Sequence, residues 1–215
     1  MRRRLVVAGL VLCLGAVRRW LRGWGASSRE RGQWLPGDDL VSARSQTTHG
    51  ITLHASSDAV WPWIVQMGYG RGGWYSYDWL ERRVGAGDFA EGGSARRVIP
   101  ELQSLAAGDT VALSQAGGLT VALIDPPNAL VLHFRMNVLT GAPAGASDPA
   151  VLHWTWAFIL IPVDGDSCRL LVRTRAEYHP WVLGVFSFLL DAVQFVMERK
   201  MLQTIERRVR VTVTR

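Results

Sequence analysis

The side chains able to do chemistry are few and scattered. The five histidines, His49, His54, His133, His153 and His179, share no short spacing, and Cys13 and Cys168 stand far apart. Neither a Cys-x-x-Cys nor a His-x-x-x-His pair occurs, so no metal site is expected, and two distant thiols make no disulfide framework. The run Gly70-Arg71-Gly72-Gly73 lacks the Lys-Ser/Thr of a phosphate loop, follows a helical pattern instead of a strand, and leads into Trp74, Tyr75, Tyr77 and Trp79. No cofactor is expected. Acid–base chemistry on an apolar carbonyl compound needs an acid and a base within hydrogen-bond reach of one substrate. Tyr75, Asp78, His133, Arg175 and Glu177 are the polar groups near the aromatic segments, yet alternation sets His133 opposite Leu132 and Phe134 and puts Arg175 and Glu177 on a charged strand face. Catalytic residues are therefore left unassigned.

These groups belong to a chain of 215 residues and 23.8 kDa, long enough for one domain with a real core. Hydrophobic residues make up 48% and charged residues 20%, with ten Trp, which excludes a disordered chain. The net charge of +6 divides unevenly. Residues 1–31 hold eight Arg and one Glu, residues 32–198 hold ten bases and sixteen acids, and residues 199–215 hold six bases and one acid. A nucleic-acid reader needs bases clustered over its folded surface, and the acidic middle of this chain argues against that partner. Basic ends beside apolar segments suit an anionic membrane surface instead.

Four segments follow from composition. Residues 1–31 read as a leader: three Arg, the apolar run Leu5 to Val17, then Arg18, Arg19, Trp20, Arg22 and Trp24. Thirteen helical residues reach about 20 Å, short of a hydrocarbon core of roughly 30 Å. The leader is thus expected to be an uncleaved anchor or interfacial helix, with Trp20 and Trp24 at headgroup depth, holding the protein at a membrane with its domain in the cytoplasm. The alternative is a soluble cytoplasmic protein. Residues 32–39 read as a linker, residues 40–209 as the domain, and residues 210–215 as a basic tail.

Within the domain, Val41 to Ala55 reads as a strand, and Ser57-Asp58 as the cap of a helix ending at Gly68. Asp78 to Val84 is a short helix. A strand begins near Thr110, and two hairpins follow: Leu119 to Ile124 with Ala129 to Met136, and Val151 to Ile161 with Cys168 to Tyr178. In the last strand Leu170, Val172, Thr174 and Ala176 share a buried face, while Arg169, Arg173, Arg175 and Glu177 share a wet one. Beyond Pro180, apolar residues from Val182 through Val193, Val196 and Met201 to Ile205 recur every three or four positions, as in a long amphipathic helix. Asp191, Gln194, Glu198 and Arg199 interrupt it and argue against a membrane span. The order of elements predicts an α+β domain, a curved antiparallel sheet wrapped around the long C-terminal helix, with an apolar cavity where the two cannot close.

The stretches LPGDDLVSARSQTTHGI, AVWPWIVQMGYGRGGWYSYDWLERRVG, IPELQSLAAGD and FVMERKMLQTIERR, with the hairpins between them, cover about residues 34–209. They resemble the SRPBCC or START-like superfamily, of helix-grip (START/Bet v 1-like) fold, and within it bacterial proteins labelled polyketide cyclase/dehydrase-like. The resemblance implies a cavity for a hydrophobic small molecule, without implying cyclisation or dehydration here, because no shared catalytic motif accompanies it. A lipid, isoprenoid or polyketide-like ligand is the expected partner. The expected lining is Trp61, Trp63, Trp74 and Tyr75 from the helix and loop, Trp154, Trp156, Leu170 and Val172 from the strands, and Phe186, Leu190 and Val193 from the long helix. Two alternatives stand beside binding: a cyclase- or dehydratase-type enzyme, and a membrane-associated lipid-transfer or interaction protein.

Overall fold

The computed structural model describes residues 2–83, 85–115, 117–145, 147–182 and 187–213. Helix α1 (Arg2–Arg22) and the short α2 (Ser28–Gly32) precede strand β1 (Ser45–Leu53). Helices α3 (Ser57–Val65) and α4 (Asp78–Arg83) and one 3-10 turn (Pro100–Leu102) are inserted before the remaining strands. These are β2 (Thr110–Ser114), β3 (Gly117–Asp125), β4 (Ala129–Asn137), β5 (Val151–Asp164) and β6 (Ser167–His179), and helix α5 (Ser187–Val213) follows. Local chemistry sets the boundaries. Ser56, one residue before the expected cap, accepts the amide of Ala59 to start α3, and Pro62 lies within that helix.

The strands form one antiparallel sheet in the order β1-β6-β5-β4-β3-β2, so the first strand returns to pair with the last. Register shifts at 112/114, 121/123 and 162/164 add residues to one strand of a pair, which bends the sheet. Side chains of one parity point inward. Leu132, Trp156, Thr174 and Thr47 form one cross-strand row, and Leu130, Phe158, Val172 and His49 the next. Met201, Leu202, Ile205 and Val209 of α5 close the core against these rows. The result is the expected helix-grip fold, an α+β domain.

Two expectations are corrected. The face carrying Arg169, Arg173 and Arg175 is covered rather than wet. Residues 23–41, including the expected linker, cross the edge of β1 and lie over that face, burying Leu35 and Val41. Arg173, 1% exposed, holds them: its guanidinium donates to Asp38 at 2.6 Å and to the carbonyls of Gln33 at 2.8 Å and Glu30 at 2.6 Å. The second correction concerns α5. Val196, expected inward, is 46% exposed, and Val193 is 48% exposed although it borders the cavity described below, while Phe195 and Leu202 are buried. The inward face of this half of α5 is polar, presenting Asp191, Gln194 and Glu198 at spacings of three and four, so apolar periodicity alone misplaces it.

The leader also behaves differently from an isolated anchor. Arg18 and Arg22 donate to Asp191 of α5 at 2.9 and 2.8 Å, and Trp20 and Trp24 sit 5.0 and 6.2 Å from the Phe195 ring. Trp24 is packed against the core, so only Trp20 of the pair is exposed. Among the described residues, no helix is long and apolar enough to cross a membrane.

Candidate ligand cavity

Alternation along β5 turns Trp154, Trp156 and Phe158 inward, and these rings build the sheet side of a cavity. Trp156 lies 5.5 Å from Trp154 and 5.0 Å from Phe158, and Phe134 of β4 meets Trp154 edge-on at 5.2 Å. Facing them on α5 are Val193 and Met197. The cavity is partly open to solvent and has a volume of about 400 Å³. A second lobe of about 290 Å³ shares Leu113, Trp156, Met197 and Glu198 with the first and extends to Trp74 and Met201. Trp74 stacks on Trp156 at 5.1 Å, so the aromatic wall is continuous between the lobes.

The α5 side of the cavity carries polar groups. Glu198, 3% exposed, accepts from Gln194 at 2.8 Å and from the Thr174 hydroxyl at 3.3 Å through Oε1. Its Oε2 lies 2.6 Å from Nδ1 of the buried His49, whose Nε2 lies 2.7 Å from the carbonyl oxygen of Leu21. Burial pushes the His49 pKa down, but the hydrogen bond and charge of Glu198 and the Leu21 carbonyl outweigh it, so the imidazole titrates above its ordinary 6.5. A hydrogen-bonded imidazole and carboxyl thus stand behind the cavity wall, with the Gln194 amide and the Thr174 hydroxyl beside them.

The loop between α3 and α4 closes the far end. Tyr75 is fully buried with a left-handed φ of 59°, a conformation rare for a residue with a side chain. Gln66 donates to its hydroxyl at 2.8 Å, and the Arg208 guanidinium lies 4.5 Å from its ring. The flanking amides of Trp74 and Ser76 donate to Glu81 at 3.4 and 3.1 Å. Burial raises the Glu81 carboxyl from 4.5 to about 7, against the pull of those two amides.

Of the expected lining residues, Trp154, Trp156 and Val193 meet at the main cavity and Trp74 lines its second lobe. Trp63, Tyr75, Leu170 and Val172 are instead sealed in the solid core, and Trp61 packs against that core away from either lobe. Phe186 and the side chain of Leu190 lie outside the described residues. None of the acid–base candidates reaches the cavity. Tyr75 is sealed, Asp78 accepts the Ser94 hydroxyl at 2.6 Å, and His133 faces His153 on the outer sheet face. Arg175 binds Gln46 on that same face, and Glu177 pairs with His153 in register. The groups that do line it, Asp191, Gln194 and Glu198, are marked in the sequence as the polar interruptions of the α5 stripe. His49 carries no such signal, because its role depends on β1 pairing with β6.

No protein-family model matches the chain, and no curated protein matches it. Among solved structures, a conserved protein from Geobacillus kaustophilus is similar at 13% identity and a TM-score of 0.42, with 78% of this chain and 97% of that chain covered. Norcoclaurine synthase from Thalictrum flavum is similar at 14% identity and 0.40, over 83% of this chain and 94% of that one. The di-domain ARO/CYC BexL is similar at 12% identity and 0.42, over 80% of this chain and 48% of that one. At such identities and scores these likenesses bear on neither ligand nor activity.

Proposed function

We propose that the protein binds a hydrophobic small molecule, of lipid, isoprenoid or polyketide-like kind, between the sheet and α5. The observation that carries this reading is the aromatic wall of the two-lobed cavity. The indole N–H groups of Trp74 and Trp156 on that wall are buried without an acceptor. An unsatisfied buried donor costs roughly 1–3 kcal/mol, so a ligand bearing a carbonyl or hydroxyl oxygen gains by supplying one. Titration of tryptophan fluorescence with an apolar naphthalene dye tests this. Wild-type protein is expected to bind and quench, and Met197→Trp, which fills the space shared by both lobes, to lose at least about tenfold in affinity while its circular dichroism is unchanged. Equal binding by the two proteins places the dye elsewhere and overturns the reading.

Two finer readings have an observation each. Glu198, buried on the cavity wall and backed by His49, favours acid–base chemistry on an apolar carbonyl compound. Turnover of such a substrate that survives Glu198→Gln removes it. The exposed Leu12, Leu14, Val17 and Trp20 of α1, with Arg19 among them, favour contact with an anionic lipid surface. Co-sedimentation with phosphatidylglycerol vesicles that is unaffected by Leu12→Glu with Val17→Glu refutes that contact.

A further inference from the structure

A second concavity, of about 950 Å³, lies against the C-terminal half of α5 and has a chemistry opposite to the cavity. Arg82, Arg96, Arg97, Lys200, Arg207 and Arg208 line it, against a single carboxylate, Asp78. Asp78 is already engaged, accepting from both the amide and the hydroxyl of Ser94 at 3.0 and 2.6 Å. Arg97 is shared with Glu91 at the rim at 2.7 Å, and Arg82 donates to the Gly92 carbonyl at 2.7 Å. Beyond the Arg97–Glu91 pair, the groove lining sets five cations against one spent anion, and an anionic guest relieves their mutual repulsion. Burial presses the Arg208 pKa downward, Tyr75 and Asp78 oppose it, and Arg207 and Arg96 add to it.

Two hydroxyls make the guest more specific. Ser76 Oγ and Thr204 Oγ1 both belong to side chains more than nine-tenths buried, both line this groove, and neither has a hydrogen-bond partner. Guanidinium forks are the groups that take a phosphate, and the two hydroxyl oxygens, which have almost no exposed surface, join them only by turning into the groove. Ser76 also lines the second lobe of the apolar cavity, so groove and cavity meet at one residue.

We propose that this groove binds the phosphate or diphosphate head of an amphiphilic ligand whose apolar chain occupies the cavity. The assignment rests on the cavity reading above and adds to it the class of ligand, an apolar chain ending in a phosphoric ester. Trp79, exposed at 64%, lines the groove.

Calorimetric titration of the full chain with farnesol, pyrophosphate and farnesyl diphosphate tests it. Wild-type protein is expected to bind farnesyl diphosphate at least about tenfold more tightly than either fragment. Arg96→Glu with Arg207→Glu, both exposed side chains, is expected to abolish that advantage while leaving farnesol affinity unchanged. Arg29→Glu with Arg44→Glu changes the net charge equally at exposed sites outside the groove, and is expected to keep it. An advantage that survives the groove variant, or that falls equally in the control, overturns the groove assignment in favour of diffuse attraction. Pyrophosphate bound as tightly as farnesyl diphosphate overturns the amphiphile in favour of free phosphate. Absence of farnesol binding overturns the cavity reading itself, separately from the groove.

Discussion

Replacing Glu81 by Gln tests how the Trp74–Ser76 loop, which borders both cavity and groove, is held. Burial lifts the carboxyl from 4.5 to about 7 in the folded chain. Between those values the folded protein keeps a proton that the unfolded chain has lost. Stability from this group is therefore fully present below pH 4.5 and is lost as pH rises through about 7. Each tenfold difference in proton affinity between folded and unfolded chain is worth about 1.4 kcal/mol, so the loss is about 3 kcal/mol. Glu81→Gln has no proton to lose. Its amide oxygen can accept from Ser76, but its NH2 faces the Trp74 amide, a mismatch that costs about 1 kcal/mol. Urea unfolding at pH 4.5 and pH 8 measures both effects. The variant is expected to be about 1 kcal/mol less stable than wild type at the acid end and about 2 kcal/mol more stable at the alkaline end. Every other titrating group acts alike in both proteins, so the difference isolates Glu81. Parallel profiles would refute the claim that this carboxyl is folded as a neutral acid.

Arg173→Met is expected to destabilise the domain by about 3–5 kcal/mol, because Asp38 and the carbonyls of Gln33 and Glu30 lose their buried donor. Hydrogen exchange should quicken first over residues 33–41, and unchanged exchange there would show that Arg173 does not hold the segment. NMR titration of His49 should give a midpoint above 6.5 in wild type, so that its contribution to stability is complete below 6.5 and fades as pH rises through that midpoint. In Glu198→Gln the Leu21 carbonyl and Asp191 still oppose burial, so the midpoint should fall without losing every raising influence, and a midpoint unchanged from wild type would exclude Glu198 as a cause. Glu30 is held near pKa 2, first by its hydrogen bond from Arg169. Its contribution is present above 4.5 and lost as pH falls through about 2, so Glu30→Gln should flatten acid unfolding in that window. An identical acid limb in both proteins contradicts it.

Strands β3 to β6 are legible in the sequence nearly to the residue, because alternation and turn-forming Asp-Pro-Pro-Asn and Asp-Gly are local properties. Half of the site is legible for the same reason. Inward parity along β5 is enough to place Trp154 and Trp156 together. The remainder is missed where a side chain's surroundings come from distant segments. Arg173 reads as a solvated residue of a wet face because nothing near it in sequence announces that residues 23–41 return to cover it. Tyr75, read as lining, is sealed by Gln66 and Arg208.

What the amino-acid order determined alone is the α+β class, the hairpins, the long terminal helix and the Trp-rich face that must lie under it. Each of these follows from periods of two or of three to four residues. Tertiary structure alone decided which polar groups meet. His49 of β1 reaches Glu198 of α5, Asp191 receives the arginines of α1, and two basic segments more than a hundred residues apart converge on one groove. Such encounters depend on β1 pairing with β6 and on the angle at which α5 crosses the sheet. Both are set by long-range burial, which leaves no periodic trace in the chain.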